Sequence, residues 1–202
     1  MSWRQRVQFL SRFLQNPKKI GSVTPSSRFL VEALLDPVDW AKVKTIVELG
    51  AGTGVLTRKI ARRIRDDSHV YIFEQDSKLA QALKARYPQM IHCSDAKQLS
   101  FELEMNGVHQ VDCIISSLPF ANFSMKERVI LLKGIQQVLA QKGVFIAYQY
   151  SLQMRGLFEE YFPHVDTRFI PFNLPPSFVY ICRKDPCIHL KLDRKKNTLL
   201  TI

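Results

Sequence analysis

The sequence predicts one α/β domain, built on a seven-stranded, mostly parallel sheet with helices on both faces, an antiparallel last strand and amphipathic helices at the N-terminus. Three observations predict it. Short apolar, β-branched runs alternate with stretches of helical periodicity along the chain. From Val47 to Ile64 a strand, a glycine turn and a helix follow one another without a break. The last two apolar runs, joined by Asn173 to Pro176, read as an antiparallel pair. A chain of 202 residues suits a single domain with a real core. The boundaries read as N-terminal helices and a lid over 1–40, the core over 41–184 and a basic tail over 185–202.

Composition narrows the setting. The net charge of +11 and a pI near 9.7 favour a polyanionic partner, either nucleic acid or an anionic membrane face. Cys93, Cys113, Cys182 and Cys187 show no CxxC pairing and lie in or beside apparent strands, which fits reduced, buried thiols. No apolar run reaches membrane-spanning length and no signal peptide is apparent, so the expected location is cytoplasmic.

In order along the chain, Trp3, Val7, Leu10 and Leu14 follow helical spacing, with Arg4, Arg6, Arg12, Lys18 and Lys19 basic and no acid before Glu32. That helix suits either an anionic lipid surface or the edge of the core. A second helix starts at a cap on Ser26 or Ser27 and stops at Asp36-Pro37. The polar turn before it, Ile20 to Ser27, is placed to fold over a ligand as a lid or to serve as a plain connection. Thr45 to Leu49 is the first strand. Gly50, Gly52 and Gly54 follow, where a sharp turn and a close backbone approach favour the absence of a Cβ, and the next helix points free N–H groups at the strand end. The second strand, HVYIFEQD, closes on Glu74 about twenty residues beyond the turn.

GxGxG spacing with Glu48 before it and Glu74 after it resembles the class I S-adenosylmethionine-dependent methyltransferases, with their Rossmann-like sheet. The resemblance implies that S-adenosylmethionine lies over the turn and that Glu74 takes its ribose hydroxyls.

Further on, a helix from about Ser77 to Arg86 leads to a third strand near Met90 to Cys93. Asp95 ends it and could accept from an adenine amine, with Ala96 on the ring, or could be a solvated turn residue. His92 beside Cys93 has no metal-ligand spacing, and no metal is assigned. The fourth strand, VDCIISS, runs into Ser117, Leu118, Pro119 and Phe120, the candidate catalytic loop. Its carbonyls could accept from an amine nucleophile and its Phe120 ring could face a cationic nitrogen; the alternative is a turn whose phenylalanine is core. A helix from about Met125 to Ala140, the strand VFIAYQY, a helix through Leu157 and Tyr161, and the final pair complete the chain.

Taken together, IGSVTPSS, VELGAGTG, FEQD, SSLPFANF and FNLPPSFVY resemble, in order, the bacterial phospholipid N-methyltransferases, relatives of the rRNA adenine dimethyltransferases. The resemblance implies methylation of a phosphatidylethanolamine-like amine by a peripheral protein at the inner face of the cell membrane. It implies cofactor contacts at Glu48, Gly50, Gly52, Gly54, Glu74, Gln75, Asp95, Ala96 and Ser116, with a lid from Thr24 to Ser27 that includes Ser26. The rRNA enzymes carry asparagine two positions before the catalytic proline, where this chain has Ser117, and no C-terminal helical domain for RNA is obvious. An rRNA adenine N6-methyltransferase is therefore the second expectation, and a noncatalytic membrane adapter the third.

Overall fold

The computed structural model describes residues 27–184. The residues expected to form an N-terminal amphipathic helix, Thr24, Ser26, Cys187 and the basic C-terminal residues lie outside the described residues. The elements are α1 (Arg28–Leu35), β1 (Thr45–Leu49), α2 (Val55–Ile60), β2 (His69–Phe73), α3 (Ser77–Arg86), β3 (Ile91–Cys93), α4 (Leu99–Met105), β4 (Val111–Ser116), α5 (Met125–Val138), β5 (Leu139–Gln149), α6 (Arg155–Tyr161), β6 (His164–Ile170) and β7 (Ser177–Arg183).

One seven-stranded sheet runs in the order β3-β2-β1-β4-β5-β7-β6. Every neighbouring pair is parallel except those involving β7, which is antiparallel to both β5 and β6. The predicted fold class is the observed one. Alternation along the buried strands sorts side chains onto two cores. Ile46, Ile72, Cys113, Ile115 and Ile146 meet Leu30, Val31, Leu34 and Leu35 of α1 on one face. Val47, Leu49, Phe73, Ile114 and Phe145 meet α4, α5 and α6 on the other.

The strand order reverses between β1 and β4, whose last residues, Leu49 and Ser116, are paired. In open α/β sheets the crevice beyond such a reversal is where ligands bind. The glycine turn and the SLPF loop therefore leave the sheet side by side.

Two elements differ from expectation. The segment LSFELEM, to which the sequence reading assigns no element, is the helix α4. Its apolar residues alternate as in a strand, but only Leu99 and Leu103, four apart, are buried, while Phe101 and Met105 stay exposed. β5 begins at Leu139 and not near Val144, because its pairing with β4 shifts between Leu139 and Val144. Gly143 permits that irregularity: a Cβ there would lie 3.0 Å from the carbonyl oxygens of both Ala140 and Val111.

Candidate active site

β1 ends buried, and the chain then turns through three left-handed glycines, with φ of 76°, 56° and 79° at Gly50, Gly52 and Gly54. They serve different ends. A Cβ on Gly50 would sit 3.0 Å from Leu118 Cδ2, and one on Gly54 would sit 2.7 Å from Leu83 Cδ2. These two glycines let neighbouring elements close in. A Cβ on Gly52 would meet nothing within 4 Å, so that position faces open space.

Glu48 is fully buried, and neither carboxylate oxygen makes a well-aligned hydrogen bond among the described residues; the Thr57 hydroxyl and backbone N–H stand near it, close enough to act on its charge but not to satisfy it. Burial pushes the Glu48 pKa up to about 8 from 4.5, the nearby Thr57 tempering that rise and the charge of Glu74 adding to it. A buried carboxyl left unsatisfied is costly and marks either a missing partner or a functional group. Glu74 follows β2 and is half-exposed. Its Oε2 accepts from Gly52 N at 2.6 Å and its Oε1 from Asp76 N at 2.9 Å, so it braces the turn across which its ribose role was expected. Gln75 is exposed. Asp95 caps the short 3-10 turn Ala96–Gln98, accepting from Lys97 N at 2.9 Å, with Ala96 half-exposed beside it. Gly50, Gly52, Gly54, Glu48, Glu74, Gln75, Asp95 and Ala96 thus gather where β1, β2 and β3 end.

The loop after β4 is fastened from every side. Ser117 N donates to Leu49 O at 2.8 Å. Ser116 is fully buried and its Oγ accepts from Leu118 N at 3.2 Å, so its side chain shapes the loop and is not offered to a cofactor. The carbonyl of Leu118 accepts from Phe120 N and from Gln149 Nε2, both at 2.9 Å, and that of Pro119 accepts from Asn122 N at 2.8 Å. Arg128 donates to the carbonyls of Phe123 and Ala121 at 3.0 and 2.9 Å. A capping box between Ser124 and Glu127 starts α5 directly afterwards.

These bonds correct two expectations. The Phe120 ring does not face an acceptor: it is fully buried, edge-on to Phe158 at 5.6 Å, Phe123 at 6.2 Å and Phe145 at 6.4 Å. It anchors the loop in the core, which is the alternative the sequence left open. The carbonyls of Leu118 and Pro119 are likewise already engaged. Among the described residues, Ser117 is the member of the loop whose hydroxyl has no partner, and it is half-exposed.

Two residues that sequence reasoning missed hold the site together. Gln149, 4% exposed at the end of β5, clamps Leu118; its signal was an amide in an otherwise apolar buried strand. Asn173 is buried in the β6–β7 connection. Its Oδ1 accepts from Ser27 N at 3.0 Å, and its Nδ2 donates to Pro175 O at 2.7 Å and Ser177 Oγ at 2.9 Å. Ser27, expected in the lid, is the N-cap of α1, accepting from Leu30 N at 3.2 Å. His92 bonds the Tyr87 carbonyl at 3.0 Å, and among the described residues no cluster of three or more His, Cys, Asp or Glu could hold a metal. Cys93, Cys113 and Cys182 are buried free thiols.

Residues 3–139 match the model of the ribosomal RNA adenine dimethylase family. The chain belongs to that family. It is a methyltransferase that uses S-adenosylmethionine. Across 184 residues it is 33% identical to an ornithine lipid N-methyltransferase of Singulisphaera acidiphila, covering 87% of this chain and 94% of the relative. It is 28% identical to ribosomal RNA small subunit methyltransferase A of Methylobacillus flagellatus, over 60% of this chain and 46% of that protein. The family fold is also seen in a TehB-like S-adenosylmethionine-dependent methyltransferase of Corynebacterium glutamicum (TM-score 0.57, 12% identity, 91% and 100% coverage). A precorrin-6y C5,15-methyltransferase of Geobacter metallireducens shares it too (TM-score 0.63, 9% identity, 82% and 93% coverage).

The residues present fit the cofactor. The amino acid part of S-adenosylmethionine carries an ammonium, the kind of donor that the unsatisfied Glu48 lacks, and Gly52 leaves space beside the strand end.

Proposed function

We propose that this enzyme transfers methyl groups to the amine of a membrane lipid headgroup. The observation that carries the reading is the identity to an ornithine lipid N-methyltransferase over nearly that protein's whole length, whereas the chain spans less than half of its rRNA-modifying relatives. Phosphatidylethanolamine and an ornithine lipid both offer a primary amine and are the acceptors to try first. The net charge of +11 supports work at an anionic membrane face, on the cytoplasmic side.

In this reading the bound cofactor supplies an electrophilic methyl group on a sulfonium. Glu48, Gly50, Gly52, Gly54, Glu74, Gln75, Asp95 and Ala96 hold the donor, with Thr24, Ser26 and Ser27 on the side of the lid. The loop Ser117, Leu118, Pro119 and Phe120 positions the acceptor. The ammonium of the acceptor gives up a proton to solvent, and the neutral amine is then nucleophile enough: its lone pair would form the N–C bond to the methyl group as the S–C bond of the sulfonium breaks, so the task of the protein is orientation. The Ser117 hydroxyl accepts an N–H of the amine and aims its lone pair, while Gln149 and Phe120 hold the backbone behind it.

An rRNA adenine acceptor is the second reading, favoured by the family match and the basic charge. Labelled S-adenosylmethionine is offered with anionic vesicles containing either amine lipid, and separately with rRNA. Label in the lipid supports the proposal. Label in the RNA alone replaces it with the second reading.

A further inference from the structure

Among the described residues, four of the eight large apolar side chains left exposed, Phe29, Leu152, Phe169 and Phe172, lie at one end of the sheet, and the other four, Phe101, Met105, Met125 and Ile130, lie on α4 and α5. β7 is antiparallel to both β5 and β6, so β6 runs in the direction of β1 to β5. Its carboxyl end, with Phe169, and the turn holding Phe172 therefore lie at the same end as the glycine turn and the SLPF loop. Phe172 is 72% exposed and its ring centroid lies 5.3 Å from that of Phe29, in the first turn of α1. The exposed Arg28 guanidinium lies 4.7 Å from the Phe29 centroid. Across the hairpin Phe169 packs on Phe178 at 5.0 Å.

These rings ride on a rigid mount. Asn173 bonds both Ser27 and Ser177, so the start of α1 and the hairpin turn move as one piece. Fixed, exposed aromatic side chains cost water contact and stability, and a cluster of them marks a surface with a partner. Phenylalanine sinking to the acyl boundary with arginine at the headgroups is how a protein sits on a bilayer without crossing it.

We propose that this edge, with Phe29 and Phe172 at its tip and Arg28 beside them, seats the enzyme on an anionic bilayer. The inference rests on the lipid-amine reading above and names the surface that serves it. The occupant is a bilayer because the Arg28 guanidinium stacks on Phe29, which packs in turn on Phe172, so cation and apolar rings form one patch, and because the edge shares its end of the sheet with the donor turn. An amine held at the headgroup level is thereby brought to the end of the sheet where the methyl donor binds.

The test uses the full chain, Phe29→Ala/Phe172→Ala, and Met105→Ala as an exposed apolar control in the last turn of α4. Each is sedimented with phosphatidylglycerol vesicles containing the amine lipid. Each is then assayed for methyl transfer to that lipid in vesicles and to a short-chain form dispersed in detergent. The double variant should partition onto vesicles roughly a hundredfold less, about tenfold per ring removed. Its turnover on vesicles should fall in step, while turnover on the dispersed acceptor and the melting temperature stay with the parent. Met105→Ala should match the parent throughout. Phe172→Asp, at the most exposed of these positions, gives the same reading if the double variant melts early. Binding of both variants at the parent's level, or a parent that ignores vesicles while methylating dispersed lipid, overturns the docking edge alone. No label in either form of the lipid overturns the lipid-amine reading itself, and label in rRNA that the double variant loses would reassign the edge to RNA.

Discussion

The two loops that meet beyond β1 and β4 are opposites in how they spend their polar groups. The glycine turn keeps its side open: Gly52 faces space and the Glu48 carboxyl is buried with no well-aligned donor among the described residues. The SLPF loop is closed, since the carbonyls of Leu118, Pro119, Ala121 and Phe123 all accept hydrogen bonds and Phe120 is sunk in aromatic packing. On the reading proposed above, the donor meets groups left unsatisfied in its absence and the acceptor meets a loop already fastened, with the Ser117 hydroxyl as its remaining polar group. Both loops are held by the same sheet, so breaking either one separately is informative.

The largest effect should come from the closed loop. Phe120→Ala removes a fully buried ring and should cost about 3–5 kcal/mol of stability, read as a lowered denaturation midpoint. A variant as stable as the parent would mean that the ring is not the anchor. On the open side, Gly52→Val puts a β-branched residue at φ 56°, a strain of order 1–3 kcal/mol, and fills the space left beside the strand end. It should abolish calorimetric binding of S-adenosylmethionine while the protein remains folded. Undiminished affinity would break the assignment of the turn.

Gln149→Leu tests whether the clamp matters to chemistry. Losing its bond to the Leu118 carbonyl should cost about 1–3 kcal/mol. If the loop positions the acceptor, kcat should fall while donor affinity holds, whereas a purely structural clamp would lower stability and leave kcat unchanged. A pH signature at Glu48 tests the open side a second time. Its folded pKa, pushed up to about 8, exceeds its unfolded value, so its contribution to stability is full below about 4.5 and is lost as pH rises toward 8. Glu48→Gln should flatten that slope in denaturation curves taken across the window. In the parent, donor binding should release a proton near pH 7, detected by titration in buffers of different ionisation enthalpy, and the variant should release none.

Much of this was legible along the chain. The run from Val47 to Ile64 carries its own strand, turn and helix signals, and Glu48, Gly50, Gly52, Gly54, Glu74, Gln75, Asp95 and Ala96 lie at the ends of β1, β2 and β3, whereas Ser116 ends β4, Ser27 caps α1, and Thr24 and Ser26 lie outside the described residues. The acceptor side was legible as a place and not as a geometry. SSLPF was found by its position after an apolar strand, but whether Phe120 turns outward or inward depends on Phe145 and Phe158, which lie on β5 and α6. α4 escaped notice because LSFELEM alternates as a strand does. It is helical because only Leu99 and Leu103 find a core to enter.

By itself, then, the sequence determined the order of the elements other than α4, the glycine turn with its two acids, and the adjacency of turn and loop, because periodicity, left-handed backbone and right-handed crossovers are local or nearly local rules. Only the tertiary structure decided which polar groups remain unspent. That depends on bonds between residues far apart in the chain, as when Gln149 reaches back to Leu118 or Asn173 to Ser27, and on which face of a strand has neighbours to bury it.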